Sequence, residues 1–188
     1  NMIDTDKIKW LGTEWSPVPY EKRPKGREYI IDSIRYLKSK VEQCKVEMPT
    51  LNVHDSFECN KIMNRTIRRT QELVKKIQGK HYTEKLHLDT RRTAEHVIPQ
   101  NLLSEAYKEG HINFEMMISM PIVDLSESSD ALLQSCGQAN VNEDWLFPFK
   151  RYEKAGIAEN IYLPNGIKIQ FSKWSLEDHF KVYPVIKI

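Results

Sequence analysis

The chain predicts an α+β domain in which helices surround a small antiparallel sheet and a β-hairpin lies near the C-terminus. Three observations lead there. Apolar residues recur at spacings of three and four through two long stretches before residue 80, the mark of amphipathic helices. Short alternating segments around residues 86–96 and 161–171 have strand character. A length of 188 residues with 40% apolar and 29% charged side chains suits one sizeable core.

Residues 1–25 form an expected extended N-terminal arm, because Trp10, Trp15 and Tyr20 are interleaved with Pro17, Pro19 and Pro24, which lack amide donors. The remaining residues, 26–188, are expected to make a single domain. Ile30, Ile34, Leu37, Val41 and Cys44 share one face of a helix over Arg27 to Val46, ended by Met48 and Pro49. A second helix is expected from Asp55, where Asp55 and Glu58 have capping-box spacing, through Ile67 and Val74 to Gly79. Leu86, Leu88, Thr90 and Thr93 then predict extended chain leading into Glu95 and His96. Pro99 fits the first turn of a helix over Gln100 to Glu109, closed by Gly110. The stretch from Ile112 to Leu125 reads equally as helix or strand. Ser126 can cap a helix reaching Gly137, and Phe149 to Ala155 predicts another, ending at Gly156. Ile161 to Leu163 and Ile167 to Phe171 flank Pro164, Asn165 and Gly166, a turn suited to a β-hairpin.

No apolar run approaches the roughly 20 residues of a membrane span, and the start lacks the basic flank and apolar stretch of a signal peptide, so a cytoplasmic protein is expected. Cys44, Cys59 and Cys136 are widely spaced and form no Cys-x-x-Cys pair, which predicts reduced thiols and no zinc knuckle. Phosphate-loop, dinucleotide and serine-hydrolase motifs do not occur. Net charge is only +2, yet Arg65, Arg68, Arg69, Arg91 and Arg92 fall inside one basic run between Lys61 and Arg92. With Lys150 and Arg151 they are the expected phosphate contacts of a nucleic-acid partner.

The segment with specific chemical content is Glu95, His96, Val97, Ile98, Pro99, Gln100. It resembles the first half of an HNH nuclease signature, where an acidic residue and a histidine precede two aliphatics and proline, and is especially similar to the version in CRISPR effector nucleases. What the resemblance implies is a ββα-metal (His-Me finger) site near residues 84–113, with His96 as general base and Glu95 as a ligand of Mg²⁺ or Mn²⁺. The implied activity is metal-dependent DNA endonuclease, of a restriction or phage-related kind, with DNA as partner and a homodimer as the analogous assembly. Imidazole suits water deprotonation near neutral pH, and a carboxylate suits a hard cation. The second half of the signature has no residue-by-residue match. From spacing, His111 and Asn113 are the candidates to complete the metal site, with Asp124 and Asn140 behind them. The competing expectation is a non-catalytic module on a degenerate nuclease scaffold, binding nucleic acid or protein through the basic helix. In that case Glu95 and His96 are a strand end, and His111 and Asn113 a turn and helix cap.

Overall fold

The computed structural model describes residues 24–85, 91–136 and 145–188. The expected arm lies outside them, except that helix α1 (Pro24–Glu47) already begins at Pro24. A 3₁₀ turn (Met48–Thr50) reverses the chain into α2 (Val53–Gln78). Helix α2 starts two residues before the sequence suggests. Its cap is Asn52, whose side-chain oxygen accepts from Asp55 N at 2.8 Å while its amide donates to the Asp55 carboxylate, so the box is Asn52/Asp55 rather than Asp55/Glu58. Gly79 closes α2 with φ 79°, a left-handed conformation that a side chain resists.

Among the described residues four strands follow: β1 (Tyr82–Glu84), β2 (Arg92–His96), β3 (Ile122–Ser126) and β4 (Ile161–Tyr162). Between β2 and β3 lie α3 (Gln100–Lys108) and α4 (Phe114–Ile118). After β3 come α5 (Glu127–Cys136), α6 (Lys150–Lys154) and, beyond β4, α7 (Leu176–Val182). The ambiguous stretch from Ile112 to Leu125 thus resolves into both a helix and a strand. Ser126 does cap α5, accepting from Ser129 N at 3.2 Å.

The sheet order is β2-β3-β1-β4. β3 runs antiparallel to β2 and parallel to β1, so the sheet is mixed where an antiparallel one was expected. The same order corrects the expected ββα element. β1 and β2 are successive in the chain but do not pair, because β3 lies between them. Its Val123 and Leu125 are fully buried, so β3 takes a central position. The expected C-terminal hairpin is reduced to β4 and a bridge from Tyr162 to Lys168 around the Gly166 turn.

Two apolar clusters form. One gathers Ile34, Val41, Met63, Ile67 and Val74 of the α1–α2 hairpin with α3, α4 and α7. The other lies against one face of the sheet, where Tyr82, Val123 and Leu125 meet Leu133 of α5 and Tyr152 of α6. Strand residues alternate between faces. Tyr82, Glu84, Val123, Leu125 and Glu95 therefore look toward α5 and α6, whereas Ala94, His96, Ile122 and Asp124 look toward α2.

Candidate functional site

Lys61, Arg65, Arg68, Glu72 and Lys75 recur every three or four residues and share one stripe of α2. That stripe runs beside β2, the edge strand of the sheet. Between them is an open groove of about 430 Å³ whose walls include Arg68, Gln71, Glu72 and Lys75 from α2 and Glu95 and His96 from β2. The predicted basic residues are only partly brought together. Arg65 and Arg68 stand on the groove stripe, and Arg91 and Arg92 are exposed at the start of β2. Arg92 leans on Asp124, donating to its carbonyl oxygen at 3.5 Å. Arg69 turns away, pairs with Glu72 at 3.3 Å and lines a different groove with Lys76 and α1.

Two expected phosphate contacts have other surroundings. Lys150 sits over the Phe147 ring, 4.7 Å from its centroid. Arg151 is only 9% exposed, and its Nη1 donates to the carbonyls of Val97 at 2.8 Å and His96 at 3.2 Å. Its guanidinium is a buried strut that holds the end of β2, not a surface grip. Arg151 and its neighbour Tyr152 are both buried in the short helix α6, whose Tyr152 belongs to the cluster against the sheet.

His96 is the final residue of β2, so the expected junction between strand and helix is present. Its Nε2 lies 2.6 Å from Oε1 of Gln71, a side chain only 3% exposed. An amide oxygen can only accept, so Nε2 carries the proton and Nδ1 the lone pair. Burial, reinforced by the Arg68 charge, pushes the ring down from 6.5 to about 4. His96 is therefore neutral at pH 7, in one tautomer and one orientation.

Glu95 points to the opposite face. There the Asp130 carboxylate of α5 is within hydrogen-bonding reach. Burial first, then the Asp130 charge, push Glu95 up to about 7, with Arg151 and Arg68 pulling the other way. The hydroxyl of Tyr152 is fully buried in the electrostatic field of Arg151, Glu95, Asp130 and Glu84 and has no hydrogen-bond partner among the described residues. Glu84 itself is spent on α5, accepting from Ser126 N at 2.9 Å and Ser129 Oγ at 2.5 Å.

The expected metal set is not assembled. Asn113 caps α4, accepting from Met116 N at 2.8 Å, and His111 lies 3.0 Å from the Glu109 carboxylate. Both follow α3, whose 9 residues span about 13 Å from the end where His96 sits. Asp124 faces α2 near Lys80 and Arg92, and Asn140 lies outside the described residues. Among the described residues, no three His, Cys, Asp or Glu side chains gather as a metal-binding group. Glu95 and Asp130, among the described residues, are adjacent carboxylates that a divalent ion would relieve of their mutual repulsion. Sequence reasoning missed Asp130 and Gln71. The available signal for Gln71 was a polar residue inside the apolar stripe of Ile67, Thr70 and Val74; for Asp130 there was none. The chain matches no protein-family model, no curated protein and no solved structure.

Proposed function

We propose that the chain is a metal-dependent DNA endonuclease of HNH-like type, with the groove between α2 and β2 as its site. The observation that carries this reading is a neutral histidine, tied through Nε2 to buried Gln71, in the wall of a groove that also bears Arg68 and Lys75. Phosphodiester hydrolysis needs a base for the attacking water and positive charge for the phosphoryl oxygens. His96 Nδ1 takes the proton, while the bond to Gln71 keeps ring and tautomer in place as the imidazolium forms. Arg68 and Lys75 hold the phosphate, and Arg65, Arg91 and Arg92 extend the contact along the strand of DNA. Glu95 with Asp130 would hold Mg²⁺ or Mn²⁺, which supplies counter-charge to the phosphorus centre.

One observation favours a second reading, a non-catalytic nucleic-acid-binding module: Glu95 and His96 sit on opposite faces of the sheet, and the Glu95 carboxyl already has Asp130 beside it. The two readings separate in a single experiment. Plasmid and single-stranded DNA are incubated with the protein in Mg²⁺, Mn²⁺ or EDTA, beside His96→Ala and Gln71→Leu. The nuclease reading expects metal-dependent nicking that His96→Ala abolishes and Gln71→Leu lowers at least tenfold, with DNA affinity changed less than about threefold. Folded wild-type protein that binds DNA without cutting it under any condition would leave the binding module.

A further inference from the structure

The tip of the α1–α2 hairpin brings together two thiols that the groove does not use. Cys44 lies near the C-terminal end of α1 and Cys59 in the second turn of α2, 15 positions later. The two helices are antiparallel neighbours joined by one 3₁₀ turn, so these positions face each other across the hairpin. Cys59 Sγ is 3.9 Å from the Cys44 carbonyl oxygen. Both cysteines are half-buried, close enough to solvent for a small oxidant.

We propose that Cys44 and Cys59 are an oxidisable dithiol that closes reversibly to a disulfide, stapling α1 to α2. The two thiols are within hydrogen-bonding reach of one another, and burial together with Cys59 holds the Cys44 thiol up at about 11. With a peroxide as oxidant, one of the two sulfurs attacks one oxygen as the thiolate, the O–O bond breaks, and the departing hydroxide takes the proton that thiol gave up, leaving water and a sulfenic acid. The other cysteine sulfur then displaces hydroxide from that sulfenic sulfur, the S–S bond forms, and its thiol proton leaves with the hydroxide as a second water. Two thiols are oxidised to one disulfide and one peroxide is reduced to two waters. A dithiol reductant reverses the reaction by exchange.

The product pins the base of α2, the helix whose middle carries Arg68 and Gln71. The test uses the full chain. Reduced protein is treated with hydrogen peroxide, quenched, denatured, alkylated and digested. The expected result is a peptide pair linked through Cys44 and Cys59, two fewer alkylation events, full reversal by dithiothreitol, and a Tm higher by roughly 5 to 10 °C in the oxidised form. Cys136→Ser should behave as wild type, and Cys59→Ser should show no link. The proposal is overturned if both thiols remain alkylatable after peroxide, if either ends as sulfinic acid without a link, or if the bond that forms runs to Cys136 or to a second molecule.

Discussion

Acidification should destabilise the protein through His179, and the size of the effect follows from its surroundings. His179 is 0% exposed. Its Nε2–H donates to the Ser119 carbonyl at 2.9 Å, so Nδ1 bears the lone pair and accepts from the Tyr82 hydroxyl at 2.8 Å. The Tyr82 oxygen in turn accepts from Trp174 Nε1 at 3.0 Å. A proton on Nδ1 would meet the Tyr82 hydrogen and place a charge in an apolar cluster, and burial lowers the ring from 6.5 to about 4. The folded state thus refuses a proton that the unfolded chain takes up below 6.5. The contribution is complete above that pH and is lost as pH falls from 6.5 toward 4. At about 1.4 kcal/mol per pKa unit, the full loss is about 3 kcal/mol, most of it gone by pH 4.5. Burial also lowers His81, whose ring centroid is 5.0 Å away, and lowers His96, so both act in the same direction. Glu95, raised to about 7, opposes them: its contribution is present at low pH and lost as pH rises. The assay is therefore a double difference. Urea unfolding of wild type and His179→Gln at pH 7.5 and 4.5 should show the wild-type advantage shrinking by about 2 to 3 kcal/mol on acidification, while the titrations of the other groups largely cancel. An advantage that stays constant within about 0.5 kcal/mol would refute the reasoning.

The buried strut and the groove each give a further prediction. Arg151→Met keeps the aliphatic stem but leaves the His96 and Val97 carbonyls without their donor and removes a cation beside Glu95; urea unfolding should show a loss of about 3 kcal/mol. Arg68→Ala should weaken DNA binding and reduce the slope of log affinity against log salt by about 1, read by fluorescence anisotropy across a salt series, whereas Arg69→Ala, on the other side of α2, should leave the slope unchanged.

Much of the fold was legible because its long elements carry their own periodicity. The stripe from Ile30 to Cys44 in α1 and Ile67 and Val74 in α2 are core positions in the structure or pack directly against the core, while Ile62 of the same expected helix is exposed and Met63 is buried instead. Local chemistry read well where one residue type had one use: Gly79 and Gly110 at left-handed ends, Ser126 as a cap, Asn165 and Gly166 in a turn. It failed where several side chains could do the same work. Asn52 and Asp55 are both cap-competent, each with an acidic residue three positions on, and only the helix start decides that Asn52 is the cap. The Ile112 to Leu125 stretch was unreadable because four helical turns of apolar residues and a buried strand look alike over so short a span.

The site was less legible because it depends on pairings between distant segments. Glu95 and His96 are neighbours in sequence, and a turning chain could have aimed both at one water. β2 remains extended through His96 because β3 pairs with it at every position, from Arg92 opposite Ser126 to His96 opposite Ile122. Alternation then sends the two side chains to opposite faces. Each acquires a partner from a helix remote in sequence: Gln71 from α2 for His96, Asp130 from α5 for Glu95. Because β2 is an edge strand, both side chains still border the same groove. In the proposed nuclease reading the dipeptide joins two half-sites, with His96 as base on one face and Glu95 with Asp130 on the other. Any chemistry that uses both must reach around the sheet edge.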